Sequence, residues 1–289
     1  MEIKLRSSVD YHKLYEAIPS PSVLSEPITI DLKEHGFFNP RDIVMITLFI
    51  ISNCSNEHVV MVQPPLDKSV GGYLEDIGLV EFCTKNLTQS VTIEAIQKVT
   101  AMPIRRLTSD NMTEYIDYAA DYFKEMSDNR DLTMFNLSLA ETINNVKDHA
   151  QSPIDAYAFC QYFPAKKQIK VVVGDLGIGI PNSVNNYLKK NNNPVISEIE
   201  SMKWALTENR SIKSQPQNQG KGLNNLLTFV KANKSSLTLY SNNAMFFATA
   251  DVEIFKKNEY SSFSGTLIEV VINIDNLPEA SFEEVDFVL

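Results

Sequence analysis

The chain has 289 residues, of which 44% are hydrophobic and 21% are charged, and its formal net charge is −10. This length can bury the core of one large domain or of two small ones, and the composition is ordinary for a globular protein. The negative charge disfavours a protein whose main task is to bind nucleic-acid backbones.

Three further features concern the location of the protein in the cell. The cysteines Cys54, Cys83 and Cys160 show no metal-ligand spacing, so we expect free buried thiols and a cytoplasmic protein. The start of the chain lacks the apolar stretch of a signal peptide. The longest apolar run, 43–52, is about half the length of a bilayer-spanning helix, so it predicts a buried helix and no membrane association.

The first hundred residues alternate strand and helix signals. Apolar alternation predicts a strand at 28–32. Asn39 followed by Pro40 is typical of a helix cap and a first helical residue, and it predicts a helix to about residue 52. Three further elements are predicted: a short buried strand at 59–63, a helix at 70–77 and a strand at 79–82. This alternation predicts an α/β unit.

The second half begins with a helix that connects the two halves. Aromatic residues at helical spacing predict this helix at 110–126, and another helix is expected at 132–150. Residues 156–162 and 168–174 are predicted to form a two-stranded hairpin. Further helices are expected at 183–190, 196–207 and 223–232, and further strands at 236–240, 245–250 and 266–274. The chain as a whole is therefore predicted to be α/β, of the α+β kind.

Glu141, Asn145 and His149 lie four residues apart within the helix expected at 132–150. Four-residue steps drift only about 40° around a helix, so the three side chains share one stripe. Asn145 could supply a carbonyl ligand to Mg²⁺, and Glu141 could polarise a water or hydroxyl aimed at a phosphate. His149 could hold the end of the helix. The alternative is that the stripe is a solvated polar face.

Asp175 follows the strand expected at 168–174 and precedes Gly177 and Gly179. An ionised carboxylate at this place can accept a hydrogen bond from an exocyclic amine, which adenine has and guanine lacks at that position. The two glycines let the backbone approach a flat base without a clashing side chain. The alternative is an ordinary turn.

Gly220, Lys221 and Gly222 precede the helix expected at 223–232. Backbone N–H groups at a helix N-terminus can bind phosphates. Lys221 and Arg210 could offset the negative charge of the protein locally. The alternative is a helix cap with a flexible turn.

In this order, the three segments resemble the motifs of the Bergerat-fold ATPases, the superfamily of gyrase, Hsp90, histidine kinases and MutL. The resemblance covers about half of the chain, from residue 132 to residue 274. The matching positions run from the N box through two glycine boxes to a closing segment: Glu141, Asn145, Asp175, Gly177, Gly179, Gly220, Gly222 and Ser264-Gly265-Thr266.

The resemblance implies a C-terminal two-layer α/β sandwich with a mixed sheet, in which ATP binds between the helical layer and a lid formed by 181–219. It implies that ATP and Mg²⁺ are the cofactors and that Asn145 binds Mg²⁺. It also implies that Asp175 recognises the adenine base and that Glu141 is the general base. The implied nucleotide-binding positions are Asn145, Asp175, Gly177, Gly179, Ile180, Gly220, Lys221, Gly222, Leu223 and Thr266, with His149 and Arg210 in support.

Residues 28–85 are weakly similar to STAS domains, the small α/β partners of anti-sigma-factor serine kinases. Phosphorylatable STAS domains cap one helix with a serine, whereas Asn39 stands at the matching place here, so an acceptor within the chain is not expected. The predicted division is a STAS-like regulatory or docking domain at 1–105, a connecting helix at 106–130, the ATPase domain at 131–275 and an acidic tail at 276–289.

The leading hypothesis is a Mg²⁺-dependent ATP-binding protein and ATPase whose lid closure controls a protein partner. One alternative is a serine/threonine protein kinase of the anti-sigma-factor type that acts on a separate partner. Another is a nucleotide-gated interaction module that barely hydrolyses ATP. An autophosphorylating histidine kinase is rejected, because His12, His35 and His58 lie in no long dimerising helix. No nucleic-acid partner is expected; the identity of the protein partner, and whether the chain forms a homodimer, are left open.

Overall fold

Two sheets organise the chain, one parallel and one antiparallel, and with their helices they make an α+β protein. The computed structural model describes residues 1–16, 26–84, 100–108, 110–127, 130–133, 136–137, 139–140, 143, 152–207, 222–257 and 262–280. None of the helices in these ranges is long and apolar enough to cross a bilayer.

The N-terminal unit is built on the parallel sheet. Its strands β1 (Glu2–Lys4), β2 (Ile28–Asp31) and β3 (Val60–Gln63) lie in that order, and its helices are α1 (His12–Glu16), α2 (Pro40–Ser55), α3 (Lys68–Asp76) and α4 (Leu79–Thr84). The predicted strand at 28–32 and the predicted start of α2 at Pro40 are confirmed. The Asp42 carboxylate accepts a hydrogen bond from the Asn39 N–H at 2.9 Å, which closes a capping box at the first turn of α2.

Two predictions for this unit are wrong. Residues 79–82 belong to helix α4, since a four-residue apolar run does not distinguish a strand from a short helix, and Phe82 N–H donates to the Gly78 carbonyl. The strand predicted at 59–63 forms as β3, but it is not buried, because β3 is an edge strand whose residues Met61 and Val62 are 50% and 37% exposed. Apolar composition predicts burial there, and only the position of β3 in the sheet decides against it.

The second sheet consists of seven strands. In chain order they are β4 (Arg105–Leu107), β5 (Ala156–Phe163), β6 (Gln168–Asp175), β7 (Ser236–Asn242), β8 (Ala244–Ala248), β9 (Glu253–Lys257) and β10 (Phe263–Asn273). In space the order is β4-β5-β6-β10-β7-β8-β9, and each of these pairings is antiparallel. The expectation of a mixed sheet is therefore wrong for the described strands. Short connections join β5 to β6, β7 to β8 and β8 to β9, and such connections make neighbouring strands antiparallel.

The helices of this half are α5 (Met112–Met126), α6 (Gly179–Lys190), α7 (Glu198–Leu206) and α8 (Gly222–Ala232). All four are predicted from the sequence, although α6 begins at Gly179 and not at residue 183. Thr133, Asn136, Leu137, Leu139, Ala140 and Ile143 are also helical, in agreement with the helix expected at 132–150. The charged strand β9 carries no apolar alternation, so the sequence does not predict it.

The first part of the expected lid is folded into two packed helices. The loop between α6 and α7 is fastened by Asn185, whose amide donates to the Ile196 carbonyl at 3.0 Å and accepts from the Ile196 N–H at 2.9 Å. Met202 on α7 is fully buried, in the same hydrophobic core as Val171 and Val173 of β6. Residues 208–221, the last part of the expected lid, lie outside the described ranges.

The seven-stranded sheet is covered by helices on both faces. On β6, Val171 and Val173 face a core that also contains residues of α5, α7 and α8. Val172, between them, faces a second core that contains residues of α2. The N-terminal unit and the sheet therefore share one hydrophobic core, while the domain boundary near residue 105 stays a prediction.

The beginning of the predicted acidic tail is attached to the rest of the chain. Leu277 is buried, and its carbonyl accepts from Arg130 Nη1 at 3.2 Å. The Pro278 carbonyl accepts from the Asp131 N–H at 2.9 Å. Residues 281–289 lie outside the described part of the chain.

Gly174 allows the close approach of α2 to the sheet. A Cβ at this position would lie 2.8 Å from Leu267 Cδ1, 2.9 Å from Leu48 Cδ1 and 3.0 Å from Val44 Cγ1. We expect Gly174→Ala to lower the free energy of unfolding by about 1–3 kcal/mol, because these buried side chains must shift. Denaturant unfolding measures this loss.

The matched control is Gly36→Ala. A Cβ on Gly36 would meet no described atom within 4 Å, so its effect should stay within about 0.5 kcal/mol. Equal stability of the two variants would contradict the close packing of α2 on β6.

Candidate functional site

A row of three polar side chains crosses the middle of the seven-stranded sheet near one end. Asp175 on β6 lies opposite Thr266 on β10, and Thr266 lies opposite Ser241 on β7. Register partners in an antiparallel sheet project from the same face. The neighbouring residues Val173, Leu239 and Ile268, which share this face, belong to the core beneath α5, α7 and α8.

The Asp175 carboxylate is buried and only half satisfied. The residue is 0% exposed, and its Oδ1 accepts a hydrogen bond from the Gly177 N–H at 2.7 Å. Its Oδ2 is buried and has no hydrogen-bond partner within the described chain. A buried acceptor without a partner is rare and costs free energy, so this atom is suited to a ligand that brings a donor.

Burial also changes the protonation of this group. Loss of water raises the pKa of Asp175 to about 7, although the N–H groups of Gly177 and Thr266 lower it. Because Oδ1 already accepts from the Gly177 N–H, a proton on this carboxyl group belongs on Oδ2. Oδ2 is thus an acceptor without a partner among the described residues when the group is ionised at high pH, and it carries an O–H donor when the group is protonated at low pH.

The turn after Asp175 requires glycine at Gly179, the first residue of α6. Its φ is +78°, and a Cβ there would lie 2.1 Å from Asn242 Oδ1 and 2.8 Å from Ser241 Oγ. The backbone of the turn is therefore packed directly against the end of β7. Ile180, the next residue, donates its N–H to Ser241 Oγ at 2.8 Å.

The structure brings part of the predicted site together. Asp175, Gly177, Gly179, Ile180 and Thr266 converge around the end of β6. Gly222 is the first residue of α8, and Leu223 packs against the core that contains Val173. Gly220, Lys221 and Arg210, which are predicted to contact phosphates or to offset charge, lie outside the described residues.

The predicted catalytic residues also lie outside the residues that the structure describes. Glu141, Asn145 and His149 are among the residues that the structure does not describe. Leu139 and Ile143, one helical step of four residues apart, are 3% and 1% exposed in the core that contains Val173. Leu139 and Ile143 therefore pack on the same face of the sheet as Asp175.

Ser241 and Asn242 are site residues that the sequence does not single out. Both lie at the end of β7, and their contacts with Gly179, Ile180 and Gly265 depend on strand pairings between distant parts of the chain. The Asn242 Oδ1 atom is buried and is unpaired within the described ranges. Polar residues at a strand end are too common to mark a site by themselves.

Metal ligands cannot be assigned within the described residues. These residues contain no group of three or more His, Cys, Asp and Glu side chains that could hold a metal ion. The predicted Mg²⁺ ligand, Asn145, lies outside them.

Comparison of the chain with models of known protein families gives no match, and comparison with curated proteins gives none either.

Proposed function

We propose that the chain is a Mg²⁺-dependent ATP-binding protein and ATPase of the histidine-kinase-like superfamily, with a Bergerat-type ATPase domain. The observation that carries this proposal is the buried Asp175 Oδ2, which lacks a partner within the described chain and follows a strand at the start of a glycine turn. The exocyclic amine of adenine supplies the donor that this atom lacks. The guanine base carries a carbonyl at that place and would oppose an ionised carboxylate.

The remaining roles follow from the sequence motifs. Asn145 would bind Mg²⁺, which supplies charge neutralisation at the phosphates when bound. Glu141 would act as the general base, with His149 in support. The phosphates would lie near the segment 220–223, where N–H groups at the start of α8 favour an anion.

The N-terminal unit would pass the nucleotide state to a protein partner. Helix α2 lies on the reverse face of the sheet, and Arg41 Nη1 donates to the Tyr240 hydroxyl at 2.9 Å. Tyr240 directly precedes Ser241, which contacts the glycine turn. This contact gives the STAS-like unit a physical connection to the site, as expected of a regulatory or docking domain.

A cytoplasmic location is part of the proposal. Cys160 is free and buried, and burial raises the pKa of its thiol to about 12, which keeps it protonated and inert. Cys54 is free and partly buried, while the side chain of Cys83 lies outside the description. Unpaired cysteines of this kind are typical of a reducing compartment.

The test is ATP binding and turnover by the purified chain with Mg²⁺, using calorimetry and γ-phosphate-labelled ATP. Binding with release of labelled phosphate supports the ATPase. Binding without release, followed by transfer of the label to a protein when cell extract is added, identifies the serine/threonine kinase instead. Binding with neither release nor transfer indicates a nucleotide-gated module. Absence of binding would overturn the proposal.

The pH dependence of binding is a separate prediction. Since the pKa of Asp175 is raised to about 7, its Oδ2 is protonated at low pH and cannot accept from an amine. We expect ATP affinity to be about tenfold weaker at pH 6 than at pH 8, by proton linkage to this single group.

Inosine triphosphate provides the control, because it carries the same titrating phosphates but a carbonyl in place of the amine. The ratio of the two affinities, measured by calorimetry from pH 6 to pH 8, isolates the contribution of the base site. A ratio that does not change with pH would contradict the assignment.

A further inference from the structure

Ser241 has a fully buried hydroxyl group with three polar neighbours. It accepts a hydrogen bond from the Ile180 N–H at 2.8 Å, lies 2.7 Å from the Gly265 carbonyl oxygen and lies 3.3 Å from Thr266 Oγ1. The residue is 0% exposed, and Thr266 is 7% exposed. One hydroxyl thus joins the glycine turn, the beginning of β10 and the side chain opposite Asp175.

The directions of these hydrogen bonds can be derived by counting protons. A serine hydroxyl has one proton to donate and two lone pairs that accept. The carbonyl of Gly265 can only accept, so the proton of Ser241 points to Gly265. The contact between the two hydroxyl groups then requires Thr266 to donate to Ser241.

This direction determines what Thr266 can offer to a ligand. Once its proton is given to Ser241, Thr266 Oγ1 has only lone pairs left. Thr266 lies opposite Asp175 in the pairing of β6 with β10, on the same face of the sheet. Thr266 and the ionised Asp175 carboxylate are therefore two acceptors side by side.

We propose that Ser241 is a positioning residue of this site: it holds the Thr266 hydroxyl as an acceptor and so makes the site selective for a purine with an exocyclic amine. This inference rests on the proposed function, because it concerns the base-binding part of the same site. Without Ser241, the Thr266 hydroxyl is free to turn and donate to a carbonyl. Discrimination against a 6-carbonyl purine then falls, while Asp175 continues to favour the amine.

The test is the ratio of the affinities for ATP and inosine triphosphate at pH 8, measured by calorimetry with Mg²⁺. We expect Ser241→Ala to lower this ratio about three- to tenfold, the range expected for the loss of one directed hydrogen bond. Ser236→Ala is the matched control, since Ser236 lies at the other end of β7, and its ratio should equal that of the wild type.

A double-variant comparison identifies the route of the effect. Thr266→Val keeps the shape of the side chain and removes its hydroxyl. If Ser241 acts through Thr266, then Ser241→Ala combined with Thr266→Val has the same ratio as Thr266→Val alone. If the two substitutions lower the affinity ratio additively, the proposal is overturned.

Folding is checked by thermal unfolding of each variant. Should Ser241→Ala fail to fold, Ser241→Cys, which keeps a weak donor and acceptor, is measured in its place, with an intermediate ratio expected. An equal loss of affinity for both nucleotides would make Ser241 merely structural and overturn the inference. Failure of the wild type to bind ATP would overturn the proposed function itself, and so the two failures are distinguishable.

Discussion

Replacement of Asp175 by asparagine is expected to weaken ATP binding about a hundredfold or more. Asparagine has nearly the shape of aspartate, and its carbonyl oxygen can keep the hydrogen bond from the Gly177 N–H. Its NH₂ group then occupies the place of Oδ2 and faces the amine of adenine, donor against donor. The lost charged hydrogen bond and the opposition of two donors account for the size of the effect.

This loss should not be accompanied by a loss of stability. The pKa of Asp175 is raised above its unfolded value to about 7, so the native state holds this proton more tightly than the unfolded state. Stability therefore falls as pH rises from about 4 to about 7, and the ionised group destabilises the fold at pH 8. A neutral asparagine removes that cost. Calorimetry and thermal unfolding at pH 8 test both statements, and unchanged ATP affinity would refute the adenine assignment.

Replacement of Glu141 by alanine is expected to leave ATP binding nearly unchanged and to lower turnover about a hundred- to ten-thousandfold. A general base acts on the attacking water in the transition state, so its removal lowers kcat more than it weakens binding. Glu141 owes this role to the N-box resemblance, since it lies outside the described residues. Release of labelled phosphate and ATP binding are measured on the same preparation.

Glu114→Ala is the control for Glu141→Ala, because Glu114 is an exposed glutamate on α5. Its turnover should match that of the wild type. Equal turnover of the Glu141 variant and the wild type would show that Glu141 is not the base. If neither protein released phosphate although both bound ATP, the kinase alternative would be tested with added protein substrates.

Local signals predict the elements that carry the site. Asn39 and Pro40 mark the start of α2, and the apolar strands on either side of 164–167 mark the hairpin of β5 and β6. The hairpin puts Asp175 at the end of a buried strand, and the glycines after it predict a turn. Caps, turns and apolar periodicity act over a few residues, so a single sequence is sufficient to find them.

Local sequence signals do not predict features that depend on a partner distant in the sequence. The apolar strand β3 is exposed because it lies at a sheet edge, and the charged strand β9 forms because β8 pairs with it. The packing of α2 on β6 depends on the absence of a side chain at Gly174. Neither strand pairing nor the choice of a helix face against a sheet is encoded within one short segment.

The sequence by itself determined most of the elements that carry the site, the motif at Asp175, Gly177 and Gly179, and the proposal of a nucleotide. Only the tertiary structure decided that Asp175 Oδ2 is buried without a partner in the described chain and that Ser241 joins the site. Ser241 meets Ile180 across 61 residues and Thr266 across 25. Such contacts arise because β10 inserts between β6 and β7, and this arrangement is set by the packing of the whole sheet between its helices.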